Sequence, residues 1–222
     1  MTRNDQITLY YSPQTRATGV RVLLEELGTP YDLHVLNMKA GEQRDPAFLA
    51  INPVGKVPAI RHRGEIVTEQ VAIFIYLADL FPQAKLTPAL DDVRRGPYLR
   101  WIAYYGAAFE PALIDKFRQA PAAPPQQTPY GDYDTMLGVV EAQLAKGPFL
   151  LGEQMTAADI LWGVALSWTM MFGLVPKTDV FVSYSERITK RPIFQKISAE
   201  DADMAAQHAA ATTRPDASGG AA

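Results

Sequence analysis

The sequence predicts a two-domain protein in which a small α/β domain precedes a larger domain built only of helices. Up to residue 82, short strand-like runs alternate with helical hydrophobic patterns, and beyond residue 88 only helical patterns occur. The 222 residues are enough for two cores of modest size, because domains commonly contain roughly 100–150 residues.

The first domain begins with a strand, a helix and a second strand. Residues 7–11 form an apolar and aromatic run that is typical of a strand, and residues 31–35 alternate between apolar and polar side chains. Between them, Gly28 ends a helix whose apolar face has helical spacing: Val20, Leu23, Leu24 and Leu27. This order indicates two parallel strands joined by a crossover helix.

A hairpin and a second helix complete the domain. Two short strands, 57–61 and 65–68, flank an Arg-Gly turn, and the apolar stripe of residues 73–80 marks a helix that ends before Pro82. The resulting order, βαβ followed by ββα, is the topology of the thioredoxin fold. We therefore expect a thioredoxin-like domain over residues 1–82.

The rest of the chain is predicted as a linker, an all-α helical bundle and a tail. The linker covers residues 83–88, the bundle residues 89–208, and a disordered tail of small residues covers 209–222. A proline-rich stretch, 120–129, must be a loop because proline breaks helix interiors. The expected helices cover residues 91–118, 133–145, 157–172, 180–190 and a segment from 193 onward.

Composition and charge exclude several classes of function. The chain has no cysteine, so it has no disulfide, thiolate zinc site or cysteine nucleophile, and its three histidines, His34, His62 and His208, are scattered, so we expect no metal and no cofactor. A net charge of −3 argues against nucleic acid and anionic membranes as partners. No apolar run approaches the ~18 residues of a membrane span, and the N-terminus lacks a signal-like segment, which predicts a cytoplasmic protein.

The segment from Asn52 to Ile60 carries the clearest motif. It reads N-P-V-G-K-V-P-A-I and resembles the N-P-x-G-x-V-P motif of cytosolic glutathione transferases. The resemblance implies a cis Val57–Pro58 bond, with the backbone of Val57 pairing with the cysteinyl backbone of glutathione, a short case of strand addition. It assigns Lys56, Val57 and Pro58 to glutathione binding. The alternative is that Pro58 only begins a strand.

A second match is Thr68-Glu69-Gln70, immediately before the second helix. The family usually has Glu-Ser here, so the resemblance implies that Glu69 holds the α-amino group of the γ-glutamyl end. Gln70 replaces the serine, but its backbone N–H survives and can bind the α-carboxylate together with the positive end of the helix. The alternative for Glu69 is a solvated carboxylate that favours a helix N-terminus.

A third match lies in the second domain, where Thr156 and Asp159 have the spacing of a capping box. A capped helix at this place is a hallmark of the family, and its role is in folding rather than in chemistry. The three motifs have the order and separation of the family, so the chain is similar to a cytosolic glutathione transferase over roughly residues 6–200.

The loop after the first strand should stabilise the thiolate of glutathione, the nucleophile of this chemistry. By the resemblance, Thr15 takes the place of a catalytic serine, and Ser12 is the main rival, although a hydroxyl before a proline can simply close a turn. Arg16 stands where some relatives have cysteine and could act by charge. Tyr11 is assigned to the glutathione site, with the core as the alternative.

The remaining expectations concern the second substrate and the assembly. Tyr104, Tyr105 and Phe109 are the predicted wall of a site for a small apolar electrophile, although bundle core is the alternative for each. The resemblance implies conjugation of glutathione to such an electrophile by a homodimer. The alternatives are a glutathione-dependent disulfide or peroxide reductase, or a protein that binds glutathione without catalysis.

Overall fold

The N-terminal domain of the protein, seen in a computed structural model that describes residues 6–213, contains a four-stranded sheet. Its strand order is β2-β1-β3-β4, with β1 parallel to β2 and antiparallel to β3, which in turn is antiparallel to β4. This arrangement confirms the predicted thioredoxin-like domain. Its elements are β1 (Ile7–Tyr11), α1 (Ala17–Glu26), β2 (Tyr31–Val35), α2 (Pro46–Leu49), β3 (Ala59–His62), β4 (Glu65–Thr68) and α3 (Gln70–Leu80).

Within the described residues, the regular elements of the second domain are all helices, as predicted, and an isolated bridge pairs Phe149 with Gly152. Its elements are α4 (Arg95–Tyr104), a π-helical segment (Tyr105–Phe109), α5 (Glu110–Phe117), α6 (Tyr133–Leu144), α7 (Ala157–Met171), α8 (Asp179–Thr189) and α9 (Pro192–Thr213). None of the helices within residues 6–213 has the length and apolar character that a membrane span requires.

Two expectations for this domain need correction. The predicted helix over 91–118 begins only at Arg95 and contains the π-helical segment, which the 3.6-residue pattern did not reveal. The predicted tail began at residue 209, but α9 continues to Thr213 because its hydrogen-bond ladder is not interrupted by Gly or Pro there. The rest of that prediction, residues 214–222, lies outside the described residues.

The capping box of α7 is formed as predicted. Thr156 caps the helix, and the carboxylate of Asp159 accepts hydrogen bonds from the Thr156 N–H and hydroxyl, each at 2.8 Å. The same carboxylate accepts from the Leu150 N–H at 2.7 Å and from the Tyr184 hydroxyl at 2.8 Å. Burial raises the pKa of Asp159, and these donors oppose the rise. One buried carboxylate thus joins α7, α8 and the segment before α7.

Candidate functional site

A cleft of about 510 Å³ lies where the two domains meet. Four segments of the first domain form one side of it: the loop after β1, the loop after β2, the loop before β3 and the start of α3. The π-helical segment and α5 form the other. The cleft is lined by Gln14, Thr15, Arg16, Met38, Asn52, Lys56, Val57, Pro58, Glu69, Gln70, Val71, Tyr105, Gly106, Glu110 and Ile114.

The loop before β3 brings the N-P-x-G-x-V-P motif into the cleft. The Val57–Pro58 peptide bond is cis, as predicted. Buried Asn52 holds the loop in place, because its amide donates to the Lys56 carbonyl at 2.8 Å and accepts from the Val54 N–H at 3.2 Å. No loop or turn hydrogen bond of the described residues involves the backbone of Val57. The motif therefore presents a backbone segment to the cleft.

The start of α3 forms the second part of the cleft. Glu69 is exposed, has a left-handed backbone (φ 66°) and does not cap the helix with its side chain. Within the described residues its carboxylate has no hydrogen bond or ion pair. The first N–H groups of α3 have no partner within the helix. The free carboxylate of Glu69 and the free N–H groups of α3 thus lie side by side. Together they can bind an ammonium group and a carboxylate group of one ligand.

The side chain of Gln70 has a different role from the serine it replaces. Its amide donates to the backbone carbonyl of Arg16 at 3.0 Å, and its buried Oε1 has no hydrogen-bond partner among the described residues. A Cβ on Gly19 would lie 3.1 Å from the Gln70 amide nitrogen, so the glycine leaves room for the longer side chain. Gln70 therefore ties the start of α3 to the loop after β1.

The loop after β1 places Thr15 in the cleft and Ser12 behind it. The Thr15 hydroxyl donates to the Ser12 carbonyl at 2.7 Å and accepts from the Ala17 N–H at 3.2 Å. Thr15 therefore closes the turn, which was the alternative role considered for Ser12. Ser12 is buried and is not part of the cleft lining. Because a threonine hydroxyl has a single proton, Thr15 can donate to a ligand only by leaving Ser12.

Arg16 lies in the cleft within a polar cluster. Its guanidinium makes two hydrogen bonds to Glu110, at 3.1 and 3.0 Å, and stacks 4.3 Å from the ring centre of Trp168. Burial acts to lower the pKa of Arg16, but Glu110 outweighs it and the pKa is raised. The Tyr105 hydroxyl donates to the same carboxylate. Burial, reinforced by Glu110, raises the pKa of Tyr105 well above its ordinary value, so this hydroxyl stays protonated.

Tyr11, predicted as a glutathione-binding residue, does not reach the cleft. Its side chain is fully buried, and its hydroxyl donates to Asp201 of α9. The physical reason is that β1 is covered on both faces, with Tyr10 packed on one side of the sheet and Tyr11 on the other. Tyr11 is therefore a core residue, which was the alternative interpretation.

The predicted aromatic wall is also largely core. Phe109 is fully buried against Trp162, at a ring-centre distance of 4.8 Å, and Tyr104 donates to the Met136 carbonyl at 3.3 Å. Neither lines the cleft, and Tyr105 does. The π-helical segment adds a residue to the turn and so rotates the later residues around the axis. The face that meets the cleft is instead Gly106, Glu110 and Ile114.

Sequence reasoning missed these three residues, although Gly106 offered a signal. Glycine is unfavourable within a helix by about 1 kcal/mol, so its presence there indicates close packing. A Cβ on Gly106 would lie 2.7 Å from Cγ2 of Val71, which is closer than real contacts allow. The glycine thus lets the second domain approach α3. Within the described residues, no cluster of three or more His, Cys, Asp or Glu side chains could hold a metal.

Comparisons with known proteins match both domains to one family. Residues 5–79 match the model of the glutathione S-transferase N-terminal domain, and residues 105–192 match that of the C-terminal domain. The chain is 26% identical over 196 residues to glutathione S-transferase GstA of Escherichia coli O157:H7, covering 86% of this chain and 98% of that protein. It is 28% identical over 200 residues to the disulfide-bond oxidoreductase YfcG of Escherichia coli K12, covering 84% and 91%.

A solved structure is similar over nearly the same extent. The sphingomonad glutathione S-transferase complexed with glutathione superimposes with a TM-score of 0.74 at 25% identity, covering 88% of this chain and 98% of that one. The two domain models together span most of the chain in the family's order, and the cis-proline loop and capped α7 carry the family's motifs. The chain therefore belongs to the cytosolic glutathione S-transferase superfamily.

Proposed function

We propose that this glutathione S-transferase binds glutathione in the interdomain cleft and transfers it to a small electrophile. The observation that carries the proposal is the meeting of three segments in one cleft: the cis Val57–Pro58 loop, the free Glu69 carboxylate at the start of α3, and the loop that holds Thr15. Each segment offers what a different part of a γ-glutamyl tripeptide requires.

Glutathione lies across the first domain in this proposal. Its α-ammonium pairs with Glu69, and its α-carboxylate accepts from the first N–H groups of α3, where the positive helix end favours an anion. The backbone N–H and C=O of Val57 pair with the cysteinyl residue. Lys56, which is exposed at the cleft, attracts the carboxylate of the glycyl end. The thiol then points to Thr15 and the start of α1.

The thiolate is stabilised at the start of α1. Thr15 supplies its hydroxyl by turning away from the Ser12 carbonyl, and the positive end of the helix favours the charged sulfur. Arg16 contributes less than its charge implies, because Glu110 already pairs with its guanidinium at 3.0 Å. Ser12 lies behind the turn, so we assign it to the structure of the loop.

The reaction is nucleophilic attack by the sulfur on a carbon that bears a leaving group. A new carbon–sulfur bond forms, the leaving group departs with the bonding electrons, and the thiol proton goes to solvent. Val71 and Ile114 give the second-substrate side of the cleft apolar surface, while Arg16 and Glu110 give it polar groups. We therefore propose an electrophile that is apolar in part and also carries a hydrogen-bonding group.

A second candidate, glutathione-dependent disulfide reduction, is favoured by the Arg16–Glu110 pair. A peptide disulfide carries ammonium and carboxylate groups that a polar cleft wall can accept, whereas a wall of aromatic side chains cannot. The thiolate attacks one sulfur of the disulfide and releases the other as a thiol. A second glutathione thiolate then attacks the glutathione sulfur of the mixed disulfide, which releases the remaining half as a thiol and yields glutathione disulfide, so the chain needs no cysteine of its own.

The proposal is tested by calorimetric titration with glutathione, followed by assays with an aryl halide, an organic hydroperoxide and a small mixed disulfide. We expect micromolar to millimolar binding, as is common for enzyme substrates, and a thioether product with release of halide. Turnover of the disulfide alone would favour the second candidate. Binding without any turnover would indicate a glutathione-binding protein, and no binding would refute the proposal.

We also propose that the chain forms a homodimer, as its resemblance to the family implies. Multi-angle light scattering at micromolar concentration should give twice the mass of 24.5 kDa. A monomer under these conditions would contradict this part of the proposal.

A further inference from the structure

The last helix of the protein places a buried carboxylate against the loop that holds Thr15. Asp201, in α9, is 3% exposed, and residues of the loop or its flanks donate to both of its oxygens. Oδ1 accepts from the Tyr11 hydroxyl, and Oδ2 accepts from the Thr18 hydroxyl at 2.6 Å and from the Gln14 N–H at 3.2 Å. These donors lie before, within and after the loop, so one carboxylate joins all of it.

The donors to Asp201 lie on both sides of Thr15. Gln14 has a left-handed backbone (φ 56°), which costs a residue other than glycine about 1 kcal/mol or more. Its N–H bond to Asp201 compensates for that conformation. Thr18 lies in the first turn of α1, three residues after Thr15, and its hydroxyl bond fixes the start of the helix. The direction of Thr15 therefore depends on Asp201.

Hydrogen-bond donors and an arginine of the protein, rather than solvent, compensate the charge of Asp201. Arg21 of α1 lies 3.8 Å from Oδ1, and its guanidinium is bound more closely by Glu200, the neighbour of Asp201 in α9. Burial, together with the charge of Asp201, raises the pKa of Tyr11, so its hydroxyl keeps its proton and donates. The described groups facing Asp201 are thus donors, which is the setting that a buried carboxylate requires.

We propose that Asp201 is a positioning residue for the sulfur site: from α9 it holds the loop of residues 11–18 so that Thr15 and the start of α1 face the thiol of glutathione. The inference rests on the proposed function, because it names the residue that orients the thiolate-stabilising loop. It gives α9 a part in the chemistry although, among the residues that line the cleft, none belongs to this helix.

The test compares Asp201→Asn with Glu200→Gln in the full chain. Asparagine keeps the shape but replaces one acceptor oxygen with an NH2 group, so it cannot accept hydrogen bonds from Tyr11, Gln14 and Thr18 at the same time. Glu200→Gln is the matched control, because it weakens the neighbouring bond between α9 and Arg21 and leaves the loop contacts intact. For each variant we would measure thiolate absorbance of the glutathione complex against pH, kcat/KM, and the Kd of S-methylglutathione.

We expect Asp201→Asn to raise the apparent pKa of the bound thiol by about one unit and to lower kcat/KM by roughly tenfold to a hundredfold, as for misplacement of a reacting group by about 1 Å. The Kd of S-methylglutathione should change less than threefold, since Glu69 and Val57 are untouched. Glu200→Gln should leave the pH profile unchanged. The inference would be overturned if the wild type and Asp201→Asn gave the same thiolate absorbance against pH. It would also be overturned if Asp201→Asn and Glu200→Gln raised the thiol pKa equally.

Thr18→Val keeps the inference testable if Asp201→Asn does not fold. Valine preserves the shape of Thr18 and removes only its hydroxyl bond to Asp201, so we expect a smaller shift of the thiol pKa in the same direction. An unchanged profile in Thr18→Val, in a protein that is folded and binds S-methylglutathione, would count against the inference. If the wild type itself forms no glutathione thiolate, the proposed function fails instead, and the two failures are thus distinguished.

Discussion

Replacing Thr15 with valine tests whether this hydroxyl stabilises the sulfur of glutathione. Valine keeps the shape of the side chain and removes the single hydroxyl that could donate to a thiolate. If Thr15 is that donor, the apparent pKa of the bound thiol must rise, because the lost bond favours the charged form. Activity at neutral pH should fall and then recover in part as the pH rises.

The structure sets the size of this effect. A hydrogen bond to a charged group contributes roughly 1.5–3 kcal/mol, but the Thr15 hydroxyl must first give up its bond to the Ser12 carbonyl at 2.7 Å, which contributes about 1 kcal/mol. The net stabilisation of the thiolate is then about 0.5–2 kcal/mol, or roughly 0.4–1.5 units in the thiol pKa. A shift well above this range would mean that the loop itself has moved.

The assay is thiolate absorbance of the enzyme–glutathione complex as a function of pH, which does not depend on the second substrate. Ser12→Ala is the control, because Ser12 lies on the same loop but is not part of the cleft lining. A shift in Ser12→Ala and none in Thr15→Val would refute the assignment. If neither variant shifts the profile, backbone N–H groups or Arg16 stabilise the sulfur, and Arg16→Gln is the next substitution.

Three further predictions follow from the cleft and the second domain. Glu69→Ala should weaken glutathione binding by about 10- to 150-fold in calorimetry, the equivalent of one charge-assisted hydrogen bond. The control Glu65→Ala, in β4, should leave the affinity unchanged. If Glu69→Ala binds glutathione as tightly as the wild type, Glu69 is only a solvated carboxylate. Thr156→Ala should lower the free energy of unfolding by about 0.5–2 kcal/mol. Asp159→Asn should lower it by about 2–6 kcal/mol, because two buried donors each lose an acceptor. Loss of glutathione binding in a folded variant would contradict the folding role of these residues. Gly106→Ala should alter the KM of the second substrate more than the Kd of glutathione, because its new Cβ meets Val71. Adding Val71→Ala to the same chain should reverse the effect. An unchanged KM in Gly106→Ala would contradict the close approach of Gly106 to Val71.

The elements that the sequence predicted correctly depend on local chemistry. Gly28 has a left-handed backbone (φ 64°) just past α1, and Thr156 and Asp159 form their capping box, so each helix end is fixed by residues within a few positions of it. These helix ends are encoded within one short segment, so a single sequence is enough to find them. The cis bond before Pro58 was instead implied by the resemblance of the continuous motif from Asn52 to Ile60 to that of the family.

The incorrect predictions concern residues whose positions depend on contacts between distant parts of the chain. The π-helical segment, Tyr105–Phe109, coincides with the close approach of Gly106 to Val71, a residue of α3. A hydrophobic pattern read with a period of 3.6 residues cannot show the added residue, so it placed Phe109 in the cleft instead of Glu110 and Ile114. The aromatic stripe was real, but its direction depended on a contact with the other domain.

The loop after β1 shows the same limit at the centre of the site. Ser12 and Thr15 have the same functional group and lie three residues apart, so the sequence could not decide which one reaches the cleft. Asp201, 183 residues or more away in the chain from each of them, binds Gln14 and Thr18 and so sets the direction of the residues between them. It also accepts from Tyr11, whose strand is covered on both faces, and this removes the tyrosine from the site. Under our proposal, the packing of the last helix against the first loop determines which side chain meets the sulfur. Substitutions in α9 should therefore change the chemistry of a cleft that this helix does not line.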